Sequence, residues 1–176
     1  MIGSSGAGKS TTGRELARLL DVPYVELDAI HHLAGWTPIA PDEFVRQLDE
    51  LTERPGWVID GNYRSVVVDG PVWERADTVV WLDVSRRVAL WRVAKRTVAR
   101  AATRRELWNG NRERPSNLFR WDPERSMIRW VWTTHRALRE RYEELTSDPG
   151  FAHLHIVRLR TPSEVARWIE GVSRPG

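Results

Sequence analysis

Near the amino terminus Gly3, Ser4, Ser5, Gly6, Ala7, Gly8, Lys9, Ser10 and Thr11 follow one another without interruption. Glycines at these places let a backbone turn tightly and bring its N–H groups against an anion. A helix that begins directly after them points the positive end of its dipole at the same spot. Lys9 adds a point charge suited to β and γ phosphates, and the Ser10 hydroxyl is placed to ligate Mg2+. A glycine-rich turn without a ligand would leave Lys9 and Ser10 after Gly8 unexplained. The stretch therefore reads as a phosphate-binding loop for ATP with Mg2+, and all nine residues are candidate nucleotide contacts. What is done with the nucleotide must come from elsewhere in the chain.

Three further segments end in aspartate, at Asp28, Asp60 and Asp83. Ligands of open α/β sheets collect at the carboxyl ends of strands, where a carboxylate holds Mg2+ through water or orients a hydroxyl nucleophile. For Asp83 a strand-terminating turn is the favoured reading. Asp60 is stronger, because WVIDGNYR (Trp57–Arg64) follows it with Gly61 and Arg64. Asp28 is followed by His31, His32 and Trp36. That set suggests an acceptor with hydroxyls and a ring, with Asp28 as a general base for the hydroxyl proton. The adjacent histidines fit an exposed turn equally well. A metal site there is disfavoured, since chain neighbours rarely converge on one ion without further ligands.

These residues need a parallel α/β framework to hold them. Strands are expected at Met1–Ile2, Tyr24–Asp28, Trp57–Gly61, Thr78–Asp83 and His153–Leu159. A five-stranded parallel sheet in a three-layer P-loop NTPase fold follows, as one domain over residues 1–176. Helices are expected from the end of the loop to Leu20, then over Pro41–Arg54, Arg86–Glu106, Arg125–Leu145 and Pro162–Val172. His135, on the apolar stripe of the fourth, reads as a packed core histidine. Between the two long helices, residues 104–125 are rich in turn formers and read as a short lid-like insertion. Two apolar residues before Gly3 are short for a central strand, so three to six further residues upstream are expected of the natural product.

The net charge of +3 is unevenly placed. Residues 84–141 hold 16 basic and 5 acidic side chains, against 7 and 14 in residues 1–83. Such a block suits a polyanion, either nucleotide phosphates or nucleic acid. Within it Arg92, Arg96, Arg100 and Arg104 recur every four residues, one face of a helix. Trp91, Ala94, Val98 and Ala101 form an apolar stripe alongside. The usual fate of such a cationic row is solvent. Its place after the Asp83 strand and before the lid favours phosphate, with Arg92 and Arg96 stabilising the transferring group. Of the ten tryptophans, Trp57, Trp81, Trp91 and Trp168 fit the core. Trp36, Trp108 and Trp121 lie in expected loops, where a base can stack. No run of eighteen apolar residues spans a membrane. The absence of cysteine and of a basic-then-apolar leader leads to an expectation of a cytoplasmic protein.

The loop, the DG…R after the third strand and the arginine helix resemble the adenylate kinase-like nucleoside monophosphate kinases. Asp60, Gly61 and Arg64 match three positions of their D-G-F-P-R. A bacterial subgroup, the "DNA topology modulation protein" or adenylate kinase-related kinases, is similar over almost the whole chain, through motifs like ELDxLxW, WVIDGNY and RRELWNGNRE. The resemblance implies a P-loop kinase in which Asp60 serves the Mg2+, Arg64 holds the acceptor, and Arg92 and Arg96 sit at the lid entry. Asp28, Trp36 and Arg64 are then the acceptor contacts. Such kinases usually carry an arginine just after the second strand; DAIHHLAGWTP (Asp28–Pro38) has none. The expected function is transfer of the γ-phosphoryl group of ATP to a small acceptor. Two alternatives stay open: a nucleic-acid-binding NTPase or end kinase, and an ATP-binding regulatory protein.

Overall fold

The structure is a computed structural model that describes residues 1–103, 106–111 and 127–172. Among these residues five strands form, β1 (Ile2–Gly3), β2 (Tyr24–Glu26), β3 (Val58–Asp60), β4 (Thr78–Leu82) and β5 (His155–Leu159). All pairings are parallel. They form a three-stranded sheet, β1-β4-β5, and a two-stranded one, β2-β3, where one continuous sheet was expected. Met1 spans the seam: its amino group donates to Ile59 O at 2.7 Å, and Gly61 N donates to Met1 O at 3.5 Å.

Among the described residues eight α-helices connect and cover the strands: α1 (Lys9–Leu20), α2 (Leu27–His31), α3 (Pro41–Thr52), α4 (Arg64–Val67), α5 (Pro71–Arg75), α6 (Arg86–Thr103), α7 (Met127–Thr146) and α8 (Pro162–Val172). The alternation of strand side chains sorts them into two faces. Ile2, Ile59, Val79 and Trp81 pack on one side with Phe44 and Leu48 of α3, Val67 of α4, Trp73 of α5 and Tyr142 of α7. Val80, Leu82 and Leu159 pack on the other with Ala89 and Val93 of α6 and Val131 of α7. Val58 joins Leu16 and Ala17 of α1 and Ile169 of α8. This is an α/β fold with helices on both faces of parallel strands.

Several boundaries depart from the sequence reading. β2 stops at Glu26, and Asp28 lies in the first turn of α2 instead of at a strand end. The short helices α4 and α5 lie where no element was expected. Trp91 is 70% exposed and Val98 59%, so the stripe they form faces outward. Ala89 and Val93 are the buried face of α6, each with none of its surface exposed. The arginine row flanks that buried face, and Arg92, Arg96 and Arg100 are half-buried. Arg104, Trp121 and most of the 104–125 insertion lie outside the described residues. No described helix is long and apolar enough to cross a membrane.

Candidate functional site

The loop from Gly3 to Ser10 joins β1 to α1. Gly3 (φ 141°) and Gly6 (φ 81°) take conformations that side chains resist. A Cβ on Gly3 would come within 2.6 Å of Leu82 O, and one on Gly6 within 2.5 Å of Ala89 O. Their glycines are thus required twice, by backbone torsion and by the closeness of β4 and α6. Gly8, also left-handed (φ 105°), caps α1. The first N–H groups of α1, which have no intrahelical partner, end at this bend. The loop is held by side chains from α1, from the segment after β3 and from α6. Lys9 Nζ donates to Gly3 O at 3.0 Å and Asn62 Nδ2 donates to the same oxygen at 2.8 Å. Arg92 reaches from α6 and donates to Ala7 O at 2.9 Å.

Asp60 is the hub below the loop. Its side chain is 4% exposed, and Lys9 Nζ lies 3.9 Å away. Ser10 Oγ donates to Asp60 Oδ2 at 2.8 Å and lies 3.2 Å from Glu26 Oε1. One hydroxyl proton serves one of these carboxylates, and the shorter contact is to Asp60. Tyr24 OH donates to the same Asp60 oxygen at 3.0 Å. Burial first, and then the Asp60 charge, raise the Tyr24 phenol far above its ordinary pKa, so it remains a donor. Glu26 is steadied by Arg14 at 2.9 Å. Ser10 and Asp60 offer hard oxygens at adjacent positions, a donor set that fits Mg2+ completed by waters and phosphate oxygens. Among the described residues no cluster of three or more His, Asp or Glu side chains gathers for a metal.

The second group lies beyond β2. Tyr63 OH donates to Asp28 Oδ1 at 2.7 Å. Burial, reinforced by Asp28, raises the Tyr63 phenol and keeps its proton in that bond. An aromatic array runs on from there. Tyr63 and His31 ring centroids are 4.7 Å apart, His31 and His32 4.9 Å, and His32 and Trp36 5.4 Å. Burial lowers the pKa of His31, an effect added to by His32 and opposed by Asp28.

The structure brings Lys9, Ser10, Asp60 and Arg92 together and joins Asp28 to them through the Asp60–Tyr63 segment. Arg64 goes elsewhere: exposed, with its Nε 3.3 Å from Asp69, it borders a shallow surface hollow with Asn62 and Arg141. Arg96 follows Arg92 one turn along α6, half-buried. Arg136 of α7 pairs with Glu140 at 2.7 Å on the outer surface. His135 is buried, its Nε2 3.0 Å from Val84 O, a packed core residue as expected. Glu26, Tyr24, Asn62 and Tyr63 were missed. Asn62 and Tyr63 stand inside WVIDGNYR, the segment that signalled Asp60. Glu26 had one available signal: it lies two residues before Asp28 in ELD, the spacing that shares a face in an extended strand.

Residues 5–40 match the family model described as shikimate kinase. That span runs from the phosphate loop through Asp28, His31, His32 and Trp36. Neither a curated protein nor a solved structure matches the chain. Match and fold together fit a P-loop kinase of the α/β class.

Proposed function

We propose that this protein is an ATP-dependent phosphotransferase that moves the γ-phosphoryl group to a hydroxyl of a small acceptor. The observation that carries the reading is the convergence of Lys9, Ser10, Arg92 and Asp60 on one loop mouth, with Asp28 and its Tyr63 partner one strand away. The similarity to the shikimate kinase model over residues 5–40 supports it, since it covers both the donor loop and the Asp28 segment. Resemblance to the adenylate kinase-like enzymes and their bacterial subgroup remains a finer proposal within this reading. So do a single continuous five-stranded sheet closed at Met1, one domain over residues 1–176 with 104–125 as a lid, and a cytoplasmic location.

In this reading the loop N–H groups and Lys9 hold the β and γ phosphates of ATP. Ser10 and Asp60 hold Mg2+, which when bound neutralises charge on the phosphates. Tyr24 and Glu26 set the orientation of Ser10 and Asp60. Asp28 accepts the proton of the attacking hydroxyl, while Tyr63 occupies one of its oxygens and leaves the other for the acceptor. Arg92, anchored on Ala7 O, and Arg96 stabilise the transferring group. Trp36 completes the acceptor contacts, and Arg64 joins them only by leaving Asp69. The test is ADP release from ATP across a panel of nucleosides, nucleotides and sugars, with Lys9→Ala as control. Acceptor-dependent release that Lys9→Ala removes is expected. No such release, or indifference to Lys9→Ala, overturns the proposal.

The basic block also keeps a nucleic-acid partner in view. That reading predicts oligonucleotide binding whose log affinity falls linearly with log salt. Absence of binding at low salt removes it.

A further inference from the structure

The Asp28 loop is held by a segment far away in sequence. After α6, Trp108–Gly110 form a single 3-10 turn in which Asn109 is left-handed (φ 55°). Asn109 Nδ2 donates to Ala29 O at 3.0 Å and His32 O at 2.6 Å. Asn111 Nδ2 donates to Leu33 O at 2.9 Å, and Asn111 Oδ1 accepts from Trp36 N at 2.9 Å. Four hydrogen bonds thus dock this turn on the backbone between Ala29 and Trp36. Asn111 is 4% exposed, so its amide is matched inside the contact and is not a solvated turn residue. The docking sets the Trp108 ring against His32, stacked with centroids 6.1 Å apart, and edge-on to Trp36 at 6.5 Å. Trp36 is itself left-handed (φ 62°) and 40% exposed. A bulky residue in that torsion is strained unless its surroundings hold it there. The bond from Asn111 does so.

Two polar atoms in the array have no partner. Nδ1 of His31 and Nδ1 of His32 are buried without a hydrogen bond. A buried N–H without an acceptor is costlier than a bare lone pair in the same place. Burial lowers the pKa of His31, which favours its neutral ring. Tyr63 and His31 join the Asp28 carboxylate to this array of flat rings.

We propose that the Trp108–Asn111 turn is the second wall of the acceptor site, and that Trp108 is a specificity-determining residue for acceptors presenting an uncharged, hydroxyl-bearing ring. Asn109 and Asn111 are positioning residues that act through Trp108 and Trp36. This rests on the phosphotransfer reading for what happens to the ring once bound. It adds which face the ring lies on and why an anionic group on that ring is disfavoured. Nucleosides and cyclic polyols share the required chemistry.

The experiment uses the full chain with adenosine and myo-inositol as ring probes, AMP as the charged counterpart and glycerol as the acyclic one. Calorimetry measures binding, and ADP release measures transfer. At least one ring probe is expected to bind and to be preferred over AMP and glycerol. Trp108→Leu weakens that binding ~10-fold and Trp108→Phe restores most of it, while ATP affinity is unchanged. Asn109→Ala and Asn111→Ala raise the acceptor KM and leave kcat and the KM for ATP in place. Preference for AMP or glycerol, equal ring binding in Trp108→Leu, or a parallel loss of ATP affinity overturns the inference. The two proposals fail separately. Transfer to glycerol alone keeps the kinase and removes the aromatic wall. Trp108-dependent ring binding without any transfer keeps the wall and removes the kinase.

Discussion

Asp60 and Asp83 stand at or just past the carboxyl ends of β3 and β4, and each side chain is 4% exposed. Their partners differ in kind. Asp60 is met by two hydroxyls, Ser10 and Tyr24, with Lys9 at 3.9 Å. Asp83 is met by guanidinium groups: Arg158 donates to Oδ2 at 2.9 and 2.6 Å, Arg139 lies 3.2 Å from Oδ1, and Arg160 is 3.8 Å away. Glu143 binds Arg158 again from α7 at 2.6 Å. Hydroxyl partners are neutral and exchange readily for a metal or water. Guanidinium partners are always charged, and losing them strands a buried carboxylate. Two aspartates in equivalent places therefore have opposite surroundings: the proposed function uses Asp60 for chemistry, while Asp83 ties β4, β5 and α7 together.

Substitutions test that contrast. Lys9→Ala has the largest expected effect, a loss of about 10³-fold in turnover, because it removes the loop's cationic side chain. A drop below about tenfold argues against phosphate transfer at this loop. Asp83→Ala leaves three arginines facing an apolar hole and is expected to cost about 3 kcal/mol, a fall in Tm of roughly 6–12 °C. Activity per folded molecule should hold at low temperature. Asp60→Asn is the mirror image: turnover drops about 10²-fold while Tm moves by only a few degrees. If the two aspartates instead exchange these phenotypes, the contrast is wrong.

Smaller effects sharpen it. Arg64→Ala removes an exposed pair with Asp69 worth at most about 1 kcal/mol, so any larger change must appear in acceptor KM. Glu143 supplies a pH handle on the Asp83 cluster. Its hydrogen bond from Arg158 holds its carboxyl below the ordinary 4.5. A lowered folded pKa means stability that is complete above 4.5 and lost as the pH falls through the folded value. The Tm difference between the parent and Glu143→Gln should be present at neutral pH and vanish in acid. A difference that persists in acid assigns it to packing.

Much of the donor side was legible because it is local. The loop's torsions demand glycines at known spacing, and the lysine and serine follow from phosphate chemistry, so Gly3–Thr11 could be read directly. Helices α1, α3, α6, α7 and α8 were visible in apolar periodicity to within a few residues. Periodicity failed on α6 because its outer face carries Trp91 and Val98, as apolar in composition as the inner one. Only packing distinguishes them, and Ala89 and Val93 were too small to signal a core. The break at Glu26 was hidden because YVELD suits a strand throughout; α2 begins there through contacts across the fold.

The amino-acid sequence by itself determined the conformation of the phosphate loop, the alternation of strands and helices, and the candidate carboxylates, since each depends on neighbours within one or two turns of chain. Tertiary structure decided which carboxylate faces hydroxyls and which faces arginines, and that Arg92 reaches the loop while Arg64 turns to Asp69. It also brought Trp108 to His32 across 76 residues of chain, through amide bonds to backbone carbonyls. A backbone acceptor exists at every residue, so the choice of which one an asparagine side chain meets is written in the packing of the elements between them.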